Sequence, residues 1–473
     1  DVQVNFDGIT YAKGASVLKQ LVAWVGREPF FEGVARYFKK HQWQNTELKD
    51  LLVELEATSG RDLSGWSKLW LETAGVNTLK PQVEADSSGN ITSFKIHQST
   101  QDGHDHQRPH RMGIGFFNLK GDKVVRDHYL ELDVDGEVTE VNDLVGKPRP
   151  QLVLLNDNDL AYAKIRLDEP SRIFAMENLS KIEDSLARTL VWTAAWDATR
   201  DAEAPASDFI QLVLDHIATE TESTTILTLM RQLVTTGNLY VAPEKREATL
   251  VKIADGLISL TESAAPGSDT QLQFAKFVPQ FARTESQLAW LSDLYEGKKT
   301  IEGLSLDADL RWELLTGLVI GGKAETSAID AELERDNTAN GQKFAAAARA
   351  VIPNLEAKWA SWNTLTTTED YSNTLVNSAS MAFGRTNDLS LLEPFVDAYH
   401  EVAPKIWESR SYHIAAYLLN NLYPIQLASE ELAQKTRDLM NGEFATSRPA
   451  FRRILLESLA GVERALKAQQ ADN

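Results

Sequence analysis

Residues 156–171 read Asn156-Asp157-Asn158-Asp159-Leu160-Ala161-Tyr162-Ala163-Lys164-Ile165-Arg166-Leu167-Asp168-Glu169-Pro170-Ser171, and the organisation of the chain turns on them. Ala163, Ile165 and Leu167 alternate with polar residues, the period of two that places one side of a strand in a core. Pro170 closes that pattern. From residue 171 to residue 473 the period is helical. Amphipathic segments such as DFIQLVLDHIA, TILTLMRQLV, RWELLTGLVI and ESRSYHIAAYLLNNL recur there, separated by breakers such as DAEAPASD and ESAAPGSDTQ. Helical hairpins in series predict a solenoid-like, HEAT-type superhelix, although no strict repeat motif marks it.

Upstream of the seam, Thr92, Phe94 and Ile96 alternate with polar residues, and so do Leu130, Leu132 and Val134. Turn signals stand at SSGN (87–90), KGD (120–122) and DG (135–136). Short strands with this punctuation predict a small β-sandwich over residues 80–170. Residues 1–79 are helical instead. Phe30, Phe31, Val34, Tyr37 and Phe38 share one face between Pro29 and His41. Leu48, Leu51, Leu52 and Leu55 repeat the pattern in 46–59, with Thr46 as the expected cap and Gly60 as the stop. A third helix is expected from Asp62, burying Leu63, Trp66, Leu69 and Trp70 and ending at Gly75. The fold class is therefore mixed and mostly α.

With 473 residues, 43% apolar and 25% charged, the chain has the composition of a globular protein of about three domains. No apolar run approaches the roughly 18 residues that span a bilayer, so no membrane partner is expected. The chain opens DVQVNFDGIT, without Met, basic n-region or apolar h-region, and is expected to be cut from something longer. The absence of Cys excludes disulfides, thiol catalysis and Cys-ligated metals. It is compatible with a cytoplasmic location, which is the expected one. The net charge of −20 is uneven: residues 1–80 are neutral, 81–170 carry −6 and the remainder −14. Such a surface opposes nucleic acid. It either aids solubility or favours ligands with a positive end, such as a peptide's free amine.

The segment Asn5-Phe6-Asp7-Gly8-Ile9-Thr10-Tyr11-Ala12-Lys13-Gly14-Ala15 resembles the Y-x-K-G-A motif of zinc aminopeptidases of the aminopeptidase N family, which opens a helix beside their active site. The patterns F..G...YF..H...NT...DL at 31–51 and SGRDL..W...WL.TAG at 59–75 are similar to that family's following helices. Residues 156–171 and DSLARTLVW at 184–192 resemble its actinobacterial type. The resemblance implies that residues 1–79 finish the helical part of a thermolysin-like catalytic domain. It also implies that the superhelix caps the active site, encloses a cavity and controls peptide entry. The intact enzyme would release N-terminal residues from peptides by zinc-assisted hydrolysis.

In that family the motif tyrosine hydrogen-bonds the tetrahedral intermediate, a role that falls to Tyr11. A phenol O–H aimed at the developing oxyanion works with zinc to stabilise it. Spacing alone reads Tyr11 as a residue packed at a helix start with its O–H bonded locally. Gly14 lets the helix lie close to the catalytic floor. Lys13 either orients neighbouring carboxylates or is a solvated helix charge.

The family's zinc motif, H-E-x-x-H with a further Glu, is absent. The nearest stretch is His400-Glu401-Val402-Ala403-Pro404, which lacks the second His and in which Pro404 is expected to break the helix. The amine-anchoring G-x-M-E-N motif is absent too, since Met176-Glu177-Asn178 follows Phe174-Ala175 and is read as coincidence. Zinc is thus implied for the intact enzyme and none for this chain. The fragment is expected to be inactive alone, its partners being peptide substrates and a missing N-terminal catalytic half. The rival reading is a helical-repeat module that binds peptides or proteins without catalysis. A third is an enzyme built on His104, His106 and His110, which could bind a metal but read as a solvated loop. The acidic pairs at Asp133–Asp135 and Asp157–Asp159 read as turns rather than calcium loops, and Trp192 and Trp196 as core packing. The helices of 11–75 are expected to leave Phe30, Phe31, Trp66 or Trp70 in an apolar patch for a missing partner.

Overall fold

The computed structural model describes residues 9–368 and 371–473; residues 5–8 of the Tyr11 motif lie outside the described residues. The chain divides into two compact units, Asp1–Ala198 and Thr199–Asn473.

The first unit opens with four helices: α1 (Gly14–Val25), α2 (Arg27–His41), α3 (Leu48–Ser59) and α4 (Ser64–Leu71). Each is amphipathic, and their apolar faces meet around Leu21, Leu55, Leu63 and Trp66. The start of α3 differs from the expectation. Glu47 caps it in a capping box with Asp50, whose Oδ2 accepts the Glu47 N–H at 2.9 Å. Thr46 is diverted because its hydroxyl bonds the Tyr37 phenol at 2.6 Å. Gly60 ends α3 in the left-handed conformation (φ 71°), as glycine readily does. Asp62 precedes α4 rather than opening it, its Oδ1 accepting the Ser64 N–H and hydroxyl at 2.9 and 2.7 Å.

Seven strands follow: β1 (Thr78–Ala85), β2 (Ile91–Ser99), β3 (His110–Lys120), β4 (Lys123–Val134), β5 (Val138–Glu140), β6 (Leu152–Asp157) and β7 (Lys164–Ile165). They form two sheets, ordered β5-β2-β1-β7 and β4-β3-β6. Leu79, Phe94 and Ile96 of the first share a core with Met112, Ile114 and Leu155 of the second, so the alternation seen in the sequence is the inward face of a sandwich. The 163–167 alternation yields only the two-residue β7, pairing in parallel with β1 at Thr78 and Leu79. The backbone before it is committed elsewhere: the Tyr162 N–H donates to Gln20 Oε1 at 2.8 Å, and the Asn156 side chain clamps the Ala161 N–H and C=O at 2.8 and 2.9 Å. Asp168 then caps the helix α5 (Glu169–Asn178), accepting the Ser171 N–H at 3.2 Å. Pro170 stands in its first turn, where no N–H is needed. The proline that closes the strand pattern therefore starts the helix.

Trp66 and Trp70 are buried, as the helical period predicts, so neither joins the exposed apolar patch expected of this region. Trp70 Nε1–H donates to Pro109 O at 3.3 Å, and its ring meets His110 of β3 edge-on at 5.3 Å. Phe31 is exposed and Phe30 half-buried. The exposed apolar side chains of this region also include Leu18, Phe38, Leu48 and Trp43, the last 99% accessible.

The second unit is helical from Ala206–His216 to Pro449–Ala471. Its two ends are clasped. Asp472 Oδ1 accepts from the Ser207 N–H and hydroxyl at 2.7 and 2.6 Å, and its Oδ2 from the Ala242 N–H at 3.1 Å. Lys245 adds a bond to the Asp472 carbonyl. Contrary to expectation, the helix Pro394–Ser409 runs through Pro404. Tertiary bonds hold it on both sides of the lost hydrogen bond: Tyr399 donates its phenol to Leu419 O at 2.8 Å, and Phe395 and Ile406 are buried. Among the described residues, no helix is long and apolar enough to cross a membrane.

Candidate functional site

Tyr11 stands in a single wide π turn, Ile9–Lys13, that leads directly into α1. Lys13 has ordinary helical backbone angles (φ −65°, ψ −42°), so the wide turn and α1 form one continuous element. Turns of this kind widen a helix by one residue and recur at functional sites. The Tyr11 side chain is 72% exposed. Gly14, the first residue of α1, is half-buried. Lys13 is half-buried as well, and burial, followed by the nearby Arg108 charge, lowers its ammonium below the usual lysine range. Tyr11 and Lys13 thus share one turn at the head of α1, with a second cation close behind Lys13.

Arg108 organises the surroundings. It is 2% exposed and reaches from the segment before β3 to the C-terminal end of α4. Its Nε donates to Leu69 O at 3.0 Å, and its Nη2 to Ala74 O and the Thr73 hydroxyl, both at 2.7 Å. Its Nη1 donates to Asn77 Oδ1 at 3.3 Å, while Asn77 Nδ2 donates to His106 O at 2.9 Å. The last carbonyls of a helix lack partners of their own, and a guanidinium supplies five donors in a fixed fork. Arg108 also lies over the Trp70 ring, 5.4 Å from its centroid. Spacing within HDHQRPH gives no sign that Arg108 is buried while His104 and His106 are exposed.

The three histidines part company. His104 and His106 are exposed, as expected of a loop. His110 is not in the loop: it begins β3, is fully buried, and its Nε2 bonds Gln98 Oε1 at 2.9 Å. Among the described residues no group of three or more His, Asp or Glu side chains could hold a metal ion. The acidic pairs are otherwise engaged. Asp133 pairs with Arg61 and Arg111, each at 3.0 Å, and Asp159 with Lys19 at 2.8 Å. Asp157 is buried and bonded to Arg126 at 2.9 Å, yet burial raises its carboxyl above the usual range. His400 donates from Nδ1 to Val396 O within its own helix (2.7 Å), and its Nε2 meets the Thr436 hydroxyl. Trp192 is buried and Trp196 half-buried. The zinc that the family resemblance implies does not fit these residues. Elemental analysis of the untagged chain is expected to find no stoichiometric zinc; one tightly held zinc per chain would contradict this.

Burial, then the Arg108 charge, pushes the His110 imidazole down to about 3. The unfolded chain therefore binds this proton from about pH 6.5 downward while the folded chain does not. Stability is complete above that pH and falls with acidification toward pH 3, by up to about 1.4 kcal/mol per pH unit from this residue. Urea melts at pH 7, 5 and 4 are expected to show a shallower acid loss in His110→Asn than in the parent chain. Parallel curves for the two would rule out the linkage.

The comparisons with known proteins agree with this architecture. Residues 152–464 match the ERAP1-like C-terminal domain, and residues 1–72 match the peptidase family M1 domain. The chain belongs to the M1 aminopeptidase family. It is 46% identical to Aminopeptidase N of Streptomyces lividans over 481 aligned positions, which cover all of this chain and 56% of that protein. Aminopeptidase 2 of Candida albicans is 38% identical over 91 residues, 19% of this chain and 10% of the relative. Aminopeptidase M1 of Arabidopsis thaliana is 24% identical over 333 residues, 69% of this chain and 34% of the relative. The chain therefore spans about half the length of the relative it matches end to end.

Proposed function

We propose that this chain is the C-terminal portion of a zinc aminopeptidase that releases N-terminal residues from peptides, and that it is inactive without the N-terminal catalytic half. The observation that carries this reading is its 46% identity to an aminopeptidase N over the whole chain. In this reading residues 1–79 complete a thermolysin-like catalytic domain, residues 80–170 are a β-sandwich, and residues 171–473 form a HEAT-like superhelix that caps the active site and controls peptide access. The exposed apolar side chains around Phe31, Phe38 and Trp43 suit the face that receives the catalytic half, since patches of this kind mark partner surfaces. The location is cytoplasmic, a reading supported by the Cys-free composition.

Tyr11 is the group of this chain that acts on the reacting atoms. Attack of water on the peptide carbonyl places negative charge on its oxygen, and the phenol O–H donates a hydrogen bond to that oxygen as the charge develops. The exposure of the Tyr11 ring at the head of α1 is compatible with such a contact. Lys13 and Gly14 support the turn that presents it. Zinc, when held by the catalytic half, supplies Lewis-acid activation.

The test compares leucine p-nitroanilide hydrolysis by this chain alone and by the chain joined to the segment its relatives carry upstream. No turnover is expected from the first and turnover from the second. Hydrolysis by the isolated chain would overturn the proposed inactivity, and an inert joined protein would favour a binding module.

A further inference from the structure

The second unit contains a cavity of about 420 Å³ whose wall carries three arginines, Arg246, Arg283 and Arg385, and one carboxylate, Glu247. That carboxylate is already engaged, its Oε2 accepting from Arg283 Nη1 at 2.7 Å. Arg246 donates through Nη2 to Val241 O at 3.2 Å, but its Nε is buried and meets no acceptor among the described residues. Arg385, just past the helix Asn373–Phe383, is in the same state at Nη2. Glu313 acts on Arg385 through its charge, but its own Oε2 is buried without a donor among the described residues, and burial pushes its carboxyl toward the neutral form.

A further cation stands behind Arg385. Lys358 is fully buried and donates to Ala350 O and Phe383 O at 3.0 and 2.6 Å. Its acceptors are neutral carbonyls, and burial, then the Arg385 charge, lowers its ammonium to about 7, so it adds only part of a charge near neutrality. With three arginines against one carboxylate, the cavity wall has an excess of positive charge in a chain of net charge −20. Guanidinium nitrogens buried without an acceptor are unfavourable, and an anion between them offsets that cost through charge-assisted hydrogen bonds.

We propose that this cavity is an oxyanion site, holding a carboxylate or phosphate head between Arg246 and Arg385. Leu250 and Ile425 in the same wall offer an apolar surface to the remainder of an organic acid. The reading is independent of the peptidase assignment, because it rests on the second unit alone.

The test is calorimetric titration of the full chain with three probes: N-acetylleucine, its amide, and inorganic phosphate. At least one of the two anions is expected to bind and the uncharged amide is not. Tighter binding of N-acetylleucine marks an organic acid as the source, and tighter binding of phosphate marks the free ion; either supports the site. Arg385→Gln is expected to weaken binding tenfold or more. Arg246→Gln, in the same wall, provides the same test should the first variant melt early. Binding of the amide as tight as that of the acid, no binding of either anion, or undiminished binding by both folded variants would overturn the proposal.

Discussion

Replacing Tyr11 by Phe, in the chain joined to the catalytic segment of its relatives, lowers kcat by roughly 10²–10³ and leaves KM nearly unchanged. The substitution keeps the ring and removes only the donor. If the phenol meets an oxyanion that exists near the transition state, its loss raises the barrier without weakening substrate binding. One such donor is worth on the order of 3 kcal/mol, which is the size of the expected fall. Stability barely moves, since the side chain is 72% exposed and an exposed hydroxyl contributes little. A structural role gives the reverse pattern: the melting temperature drops and kcat holds. Steady-state kinetics and a melt on the same preparation separate the two, and near-normal kcat would remove Tyr11 from the reaction.

The second large effect is on stability. Arg108→Met keeps an unbranched stem of similar reach and deletes the guanidinium. Leu69 O, Ala74 O and the Thr73 hydroxyl lose a donor at once. Each charged hydrogen bond is worth about 1.5–3 kcal/mol, but the variant also escapes the cost of burying a cation. The net loss expected is therefore about 3–5 kcal/mol rather than the sum of the bonds. For a unit of this size that corresponds to roughly 10 °C in Tm. Thermal melts of parent and variant measure it. A loss below about 1 kcal/mol would mean that water replaces the arginine without penalty, and that α4 does not depend on it.

Much of the fold is legible residue by residue. The seam at 156–171 announces itself because a strand period ends in Asp168 and Pro170, a cap and a first-turn proline. The inward face of the sandwich follows from alternation at Phe94, Ile96, Leu132 and Val134. Local rules fail where distant groups decide. Pro404 continues a helix because Tyr399 is anchored to Leu419 from outside it. Trp70 is met by Pro109 and His110, some 40 positions away in the chain, and although the helical period buries the ring it does not name that partner. Thr46 loses its cap to Glu47 because the Tyr37 phenol takes its hydroxyl. At the candidate site, Tyr11, Lys13 and Gly14 were visible through a motif. Arg108 was not, since a buried arginine in a run of polar residues looks like any other loop charge until its acceptors are known.

The clasp at Asp472 has a kinetic consequence. It joins residues 265 positions apart in the chain, Ser207 and Asp472. Ribosomes add about 5–20 residues per second, so Ser207 waits on the order of 10–50 s for its partner to be made. During that interval the helix Ala206–His216 has its first turn unsecured. The second unit should therefore complete its native state in a late, loop-closing step, and non-local closures of this length are slow. In refolding from denaturant, an Asp472→Ala chain should lose the slowest phase while helix formation keeps its rate.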